Sequence, residues 1–409
     1  MPTFSVYTLG CKLNFSESSE MARQLVSAGF EQLPSGGDHI IVNSCAVTAT
    51  AEKKARNEVS HLHRLYPDAQ IVVVGCYAAL RPDEIRQWPG VSQVFGNRDK
   101  MNAVAYLQRH PLCPAPHFFA AYSSNDRTRS FLKIQDGCNN HCTYCTVADA
   151  RGESRSDNID NVLQNIEKIK RENIKEIILT GVNLGDFGRG TGENFYDLLR
   201  AIEKQHLVER FRISSIEPQL LSDDIMELVS GSEIIMPHFH IPLQSGCDKI
   251  LHLMKRRYTT KIFANKIEAV KRQIPDACIA LDVITGFPTE SDEDFENSYQ
   301  FLDQLPISYL HVFTYSRRPG TPANEMEGQV PPEVKHERTN RLLELSEKHK
   351  RNFYKEHAGE SRPVLWESSK KNGKMFGFTD NYIKVCQPYD AACVNEILPI
   401  CLTSENCCD

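Results

Sequence analysis

Along the first hundred residues, short apolar runs alternate with stretches whose apolar positions recur every three or four residues. FSVYTLGC (4–11), HIIVNSC (39–45) and IVVVGC (71–76) are too short for helices and rich in β-branched side chains, so they read as buried strands. SESSEMARQLVSAG (16–29), closed by Gly29, and a segment from about Thr48 to Leu65 read as the helices between them. Apolar strands separated by helices predict a doubly wound parallel α/β sheet. The Pro-rich HPLCPAPHF (110–118) marks a linker. From Phe131 a second series begins, with strands at FLKIQDG, 175–181, 210–218, 238–246, 278–288 and 309–316. Amphipathic helices such as 158–172 and 291–305 separate them. Six such units predict a partial (β/α)6 barrel of the TIM kind. A charged helix at about 333–352 leads out of it. The last fifty or so residues change to short β-rich runs with NG and DN turns, as in a small all-β barrel. The expected divisions are 1–112, a linker 113–126, 127–352 and 353–409.

Composition adds the setting. Hydrophobic content of 41% and charged content of 24% are those of a soluble globular protein. No apolar run reaches the roughly 18 residues that a membrane helix needs. The start, MPTFSVYTLGC, lacks the basic and apolar regions of a secretory leader, so a cytoplasmic protein is expected, without a membrane partner. In that compartment fourteen cysteines point to metal or redox chemistry rather than to disulfides. The net charge of −6 weighs mildly against nucleic acid. Yet residues 348–374 carry eight Lys/Arg against three Glu, a local balance of +5. That stretch is either a solvated face or a patch that tracks phosphates.

The cysteines are placed, not scattered. Each of the first three strands ends in one: Cys11, Cys45 and Cys76. Carboxyl ends of parallel strands share one edge, so these three converge in space. DGCNNHCTYC (136–145) sets Cys138, Cys142 and Cys145 in a C-x3-C-x2-C spacing directly after the first strand of the second series, at the reactive end of such a fold. Structural zinc and ordinary iron–sulfur sites take four protein ligands. Three thiolates can instead hold three irons of a cubane and leave the fourth open. A zinc reading needs another ligand, and His141 lies inside the loop. Cys113, Cys386, Cys393, Cys401, Cys407 and Cys408 follow no ligand-like spacing.

The C-x3-C-x2-C spacing, with Tyr144 before its last cysteine, resembles the signature of radical S-adenosylmethionine (SAM) enzymes. With three cysteines in a preceding domain and a small β-barrel after it, the chain resembles the methylthiotransferases of that superfamily over nearly its whole length. The matching stretches include TLGCKLNFSESS (8–19), NSCAVTATAEKKAR (43–56), VVGCYA (73–78), LTGVNLGDFG (179–188), RISSIEP (212–218), HIPLQSGCDKILHLMKRRYT (240–259), DVITGFPTESDEDF (282–295) and FTYSRRPGTPA (313–323). The tail is similar to the TRAM domain, a nucleic-acid-binding barrel.

That resemblance implies two [4Fe–4S] clusters. One, on Cys138, Cys142 and Cys145, binds SAM at its open iron and yields a 5′-deoxyadenosyl radical. The other, on Cys11, Cys45 and Cys76, carries the sulfur that a further SAM methylates. LGCKLN is most similar to members that modify C2 of N6-threonylcarbamoyladenosine at tRNA position 37. Isopentenyl-adenosine members read YGCQMN there, and members acting on a ribosomal-protein aspartate read LGCPKN. Those two substrates, and a non-catalytic iron–sulfur RNA-binding protein, are the alternatives. The implied partners are the tRNA anticodon stem-loop, SAM, and a one-electron reductant such as flavodoxin or ferredoxin.

Beyond the six cysteines, Gly181, Asn183, Glu217, Gln244 and Ser245 follow the second, third and fourth strands, where they can contact SAM or simply cap strand ends. Asp282 lies inside an apolar strand, as a paired core carboxylate or an inward-facing one. Lys255, Arg256, Arg257 and the pair Arg317–Arg318 are candidate phosphate contacts. In the tail Phe376, Phe378 and Tyr382 interleave with Lys370, Lys371 and Lys374, as a base-stacking surface or as barrel core. One stretch departs from the family pattern: TVADARGESRS (146–156) lacks the usual proline and puts Asp149 close to the cluster loop.

Overall fold

The computed structural model describes residues 1–114, 116–123 and 128–408, so the expected linker at 113–126 lies partly outside the described residues. Five parallel strands form the N-terminal sheet in the order Glu31–Gln32, Thr3–Thr8, His39–Ser44, Gln70–Gly75, Val91–Phe95. Its strands are apolar on both faces because each face is covered. Ile40, Val42, Ile71 and Val73 pack with Ala55, Val59 and Leu62 of the helix Ala49–Leu65. Phe4, Ile41, Val72 and Val74 pack with Met21 and Leu25 of the helix Lys12–Ser27. The Thr48 hydroxyl caps the former by accepting from the Ala51 amide at 3.1 Å.

The helix Lys12–Ser27 begins four residues before the expected start at 16. Its first turns bury Asn14, Ser16, Glu17 and Ser18, so the apolar periodicity that would announce a helix is missing there. Two further strands, Glu31–Gln32 and Val91–Phe95, were not expected; the first spans only two residues.

The central region has six parallel strands in two hydrogen-bonded groups. Arg210–Ile213, Glu176–Thr180 and Arg129–Lys133 form one, with the short Ala121–Tyr122 added antiparallel. His238–Gln244, Cys278–Thr285 and Tyr309–Thr314 form the other. Isolated parallel bridges, Phe211 with Ile235 and Ser215 with His240, join the groups. Alternation sorts the two faces of these strands. Leu132, Ile177, Leu179, Phe211, Ile213, Phe239, Ile241, Leu281 and Val283 belong to one apolar core with the surrounding helices. The opposite, inner face carries Arg129, Lys133, Glu176, Arg212, His238, His240, Asp282 and His311. An inner face this polar is not the packed interior of an eight-stranded barrel.

The helix Pro332–Glu356 packs along Tyr309–Thr314 and runs past the expected boundary at 352/353. After it, Ser361–Lys371, Lys374–Thr379, Lys384–Pro388 and Ile397–Cys401 form an antiparallel sheet. Asn372 and Gly373, with φ of 52° and 76°, make the tight hairpin that the NG pair predicts. This sheet docks on the inner face of the central strands. Arg210 donates to the Pro363 carbonyl at 2.7 Å, and Arg212 to that of Thr379 at 2.7 Å. Phe378 lies under Arg129, and Tyr382 stacks on His238 with ring centroids 4.2 Å apart. Those two aromatics therefore face the central strands rather than a nucleic acid, which corrects two of the three aromatics of the expected stacking surface. Among the described residues no helix is long and apolar enough to cross a membrane.

Candidate active site

Cys45 and Cys76 directly follow the adjacent strands His39–Ser44 and Gln70–Gly75, and Cys11 follows the next strand over, Thr3–Thr8. The neighbouring backbone is built for close approach. Gly10 has φ +120°, and a Cβ on it would lie 2.8 Å from the Cys45 Cβ. Gly75 has φ +101°, and its Cβ would lie 2.5 Å from the Ser44 carbonyl oxygen. No other residue fits either place. Asn14 ties the loops together by donating to the carbonyls of Leu9 at 2.9 Å and Ser44 at 3.0 Å. Burial pushes the Cys45 thiol up to about 11, and the charges of Cys76 and Cys11 add to it.

The second triad is held as firmly. The Cys138 amide donates to the Gly152 carbonyl at 3.0 Å, and the Thr143 hydroxyl to that of Leu253 at 2.8 Å. Each sulfur meets an N–H donor: Asn140 N to Cys138 at 3.3 Å, Val147 N to Cys145 at 3.4 Å, and Arg256 Nη1 to Cys142 at 3.3 Å. Such donors stabilise metal-bound thiolates and tune a cluster's potential. Burial raises Cys138 and pushes Cys145 up to about 12. Both triads thus ask for a cationic group to hold the thiolate form.

The spacing of the thiols bears on a single-ion site. Among the described residues the only His, Cys, Asp or Glu side chains with three ligand atoms within 4.8 Å of one another are His240, Asp282 and His311. Sulfurs on one tetrahedral zinc would stand about 3.8 Å apart, given Zn–S bonds of about 2.3 Å. Neither triad is that tight, and His141 is exposed rather than turned in as a fourth ligand. Neither triad is arranged around a single metal ion. Asp149, the departure noted above, is solvent-exposed on the short helix Val147–Arg151.

Around the second triad, Gln135 accepts from the amides of Val182 at 2.8 Å and Asn183 at 2.9 Å. A Cβ at Gly181 would meet that same Gln135 oxygen at 2.8 Å. The Asn183 oxygen accepts from the Glu217 amide at 3.3 Å, which leaves its buried Nδ2 with no partner. A buried donor without an acceptor is rare, and here it fits a polar ligand beside the cluster loop. Glu217 is ion-paired to Arg256, the residue that touches Cys142. Gln244 takes φ +74° at a break in the strand register and lines a cavity with Asp282. Ser245 is buried, its hydroxyl accepting from the Cys247 amide at 3.2 Å within its own turn.

That cavity, of about 320 Å³, lies between the triads. Val47 and Thr48, just past Cys45, bound one side; Tyr144 and Cys145 bound another, and Phe313, 46% exposed, forms part of the wall.

A buried charge network joins the N-terminal sheet to the central strands. Glu17 binds Lys100 at 2.5 Å, Lys133 at 2.9 Å and Arg151 at 3.1 Å. Asp136 binds Lys133 at 2.9 Å, Arg151 at 2.9 Å and Arg155 at 2.8 Å. Burial raises both carboxyls, but the surrounding cations outweigh it and hold them far below the ordinary range. Arg151 also donates to the Asn14 oxygen at 2.8 Å, so the network reaches the loop that carries Cys11.

The expected RNA contacts divide. Lys255, Arg257, Lys370, Lys371 and Lys374 are exposed, and Arg317 is exposed while bonded to Asn324. Arg256 is not a phosphate contact: its side chain is 4% exposed and belongs to the cluster site. Arg318 is buried and bound to Glu52. Sequence reasoning missed the roles of Gln135, Glu17, Lys133 and Arg151. For Lys133 the available signal was a charged residue inside an otherwise apolar strand, RSFLK (129–133).

Comparison with known proteins completes the description. The model of the radical SAM superfamily matches residues 132–302, and that of the uncharacterized protein family UPF0004 matches residues 3–96. The chain is 37% identical over 406 residues to the threonylcarbamoyladenosine tRNA methylthiotransferase MtaB of Bacillus subtilis, covering 94% of this chain and 90% of the relative. It is 36% identical to the protein of that name from Thermotoga maritima, covering 94% and 91%. To the tRNA-2-methylthio-N(6)-dimethylallyladenosine synthase of Acetivibrio thermocellus it is 32% identical, covering 91% and 82%. Among solved structures, the radical SAM methyltransferase TsrM of Kitasatospora setae superposes with a TM-score of 0.59 at 13% identity, covering 79% of this chain and 74% of that one. That last likeness speaks for the fold alone.

Proposed function

The chain belongs to the radical SAM methylthiotransferase family, and from that membership we propose that it transfers a methylthio group to C2 of N6-threonylcarbamoyladenosine at position 37 of tRNA. One observation carries this reading: a cavity large enough for a nucleobase lies between two separate three-cysteine sites. A structural iron–sulfur protein has no use for a cavity there, nor for three ligands twice.

In this reading Cys138, Cys142 and Cys145 hold one [4Fe–4S] cluster, and Cys11, Cys45 and Cys76 hold the other. Clusters held there would supply, at the first triad, the electron for reductive cleavage of SAM and, at the second, a place for the sulfur to be transferred. The chain's own groups do the rest. Asn183 Nδ2 donates to a polar group of SAM, and Gly181 leaves room for it against Gln135. Arg256, locked between Glu217 and Cys142, fixes one cluster sulfur. Gln244 presents its amide to the cavity. Phe313 stacks on the base, and Tyr144 closes the far wall against water.

The finer architecture follows the same reading. The central strands make a partial TIM-like barrel, and the C-terminal sheet is a TRAM-type unit that binds the anticodon stem-loop. Lys255, Arg257, Arg317 and the hairpin lysines Lys370, Lys371 and Lys374 meet phosphates. The enzyme works in the cytoplasm with a one-electron donor such as flavodoxin or ferredoxin. The reading is tested by mass spectrometry of nucleosides from total tRNA with and without the gene. Loss of the methylthio form, with its unmodified parent accumulating, is expected; an unchanged nucleoside profile overturns it.

A further inference from the structure

Among the described residues, the inner face carries a cation that no acid neutralises. Lys12 opens the helix that follows Cys11, and that helix lies along the strand Arg129–Lys133. Phe15, three residues on and so on the same side of the helix, rests against Phe131 with centroids 6.4 Å apart. Lys12 therefore points toward the inner face, half-buried, and among the described residues it makes no hydrogen bond or ion pair. The buried and half-buried acids of this region are already engaged. Glu176 binds Arg212 at 2.9 Å, Asp282 binds His240 at 2.7 Å, and Glu217 binds Arg256. Glu17 is taken up by Lys100, Lys133 and Arg151.

A second polar group stands on the same inner face. His311 lies edge-on to His240, centroids 5.2 Å apart, and among the described residues its ring nitrogens make no hydrogen bond. In the strand register His311 is opposite Asp282, which lines the cavity, and Phe313 of the cavity wall is two residues further on the same face. A half-buried ammonium without an acidic partner is costly to hold away from water. Such a group is best satisfied by an anionic ligand.

We propose that Lys12, with His311 of the same inner face, receives an aliphatic carboxylate on the N6 substituent of the substrate adenine. This rests on the function proposed above, because a threonylcarbamoyl substituent ends in a carboxylate and an isopentenyl one does not. The first-cysteine stretch agrees: LGCKLN carries a cation where the isopentenyl members' YGCQMN carries a neutral glutamine. Lys12 is thus a specificity-determining residue, and His311 supports it by a hydrogen bond.

The test uses the full-length, cluster-loaded protein and two synthetic anticodon stem-loops, one with threonylcarbamoyladenosine and one with the same nucleoside as its neutral carboxamide. Dissociation constants by fluorescence anisotropy are measured for wild type, Lys12→Gln and His311→Phe, with iron content checked for each. Wild type is expected to prefer the acid by roughly 10–100-fold, the span of one charge-assisted hydrogen bond. Lys12→Gln should shrink that preference to within about 3-fold, and His311→Phe should reduce it severalfold. An undiminished preference in Lys12→Gln, or none in wild type, overturns the proposal. If Lys12→Gln fails to load iron, His311→Phe decides: a full preference there overturns it. Should wild type bind the acid selectively yet methylthiolate neither RNA, the proposed function fails while the carboxylate site stands.

Discussion

Replacing Glu17 by glutamine is the perturbation that the structure bears on most sharply. Its side chain is 0% exposed and is shared by Lys100, Lys133 and Arg151 at 2.5, 2.9 and 3.1 Å. The network holds two acids, Glu17 and Asp136, against four cations, so removing one acid leaves Asp136 alone to face Lys100, Lys133, Arg151 and Arg155. Removing one partner of a buried ion pair costs about 3–5 kcal/mol, because the remaining charges stay buried. A unit of roughly 150–250 residues loses about 2–4 °C of midpoint per kcal/mol, so the first calorimetric transition should fall by roughly 6–20 °C. Lys100→Met removes part of the cation excess instead and should cost much less. Acid adds a second signature. Both carboxyls are held below their ordinary range, so their contribution is present above that range and is lost only as pH falls through the lowered values. The wild-type advantage over Glu17→Gln should therefore be full at neutral pH and vanish in strong acid. Glu17→Gln melting within about 2 °C of wild type, or no more damaged than Lys100→Met, would refute the reasoning.

Four other outcomes are expected. Cys142→Ala should abolish formation of deoxyadenosine from SAM, whereas Cys45→Ala should leave it measurable and abolish methylthio transfer; equal loss of both products contradicts the division of roles. Arg256→Met removes a donor and a cation from Cys142, so EPR-monitored titration should show a lower reduction potential for one cluster only. Asn183→Ala removes the unpartnered buried donor and should weaken SAM binding by roughly 3–10-fold in anaerobic calorimetry, the weight of one neutral hydrogen bond. Replacing Lys370, Lys371 and Lys374 together by alanine should weaken tRNA binding and flatten its log–log salt dependence by up to about 2, read from a salt series.

The strands and cysteine placements were legible because both rest on short-range signals. Apolar runs of strand length bounded by Gly and Cys located Thr3–Thr8, His39–Ser44 and Gln70–Gly75, and thereby the convergence of Cys11, Cys45 and Cys76. The start of the helix at Lys12 was hidden because its first turns bury polar groups against distant cations. Arg256 looked like one of three exposed cations in KRR, and only tertiary packing separates it from Lys255 and Arg257. Phe378 and Tyr382 alternate with lysines as a stacking surface would. Docking of the C-terminal sheet turns both toward Arg129, Arg212 and His238, which no local pattern could indicate.

The most direct test of the central claim is a reaction with the purified protein. The chain, loaded with iron and sulfide under anaerobic conditions, is given SAM, a reductant and an anticodon stem-loop bearing threonylcarbamoyladenosine, and the digested nucleosides are read by mass spectrometry. The account predicts a methylthio group in place of the C2 hydrogen, with an isopentenyl-adenosine stem-loop left unmodified. SAM cleavage without any gain of sulfur on either RNA, by a protein carrying both clusters, would contradict it.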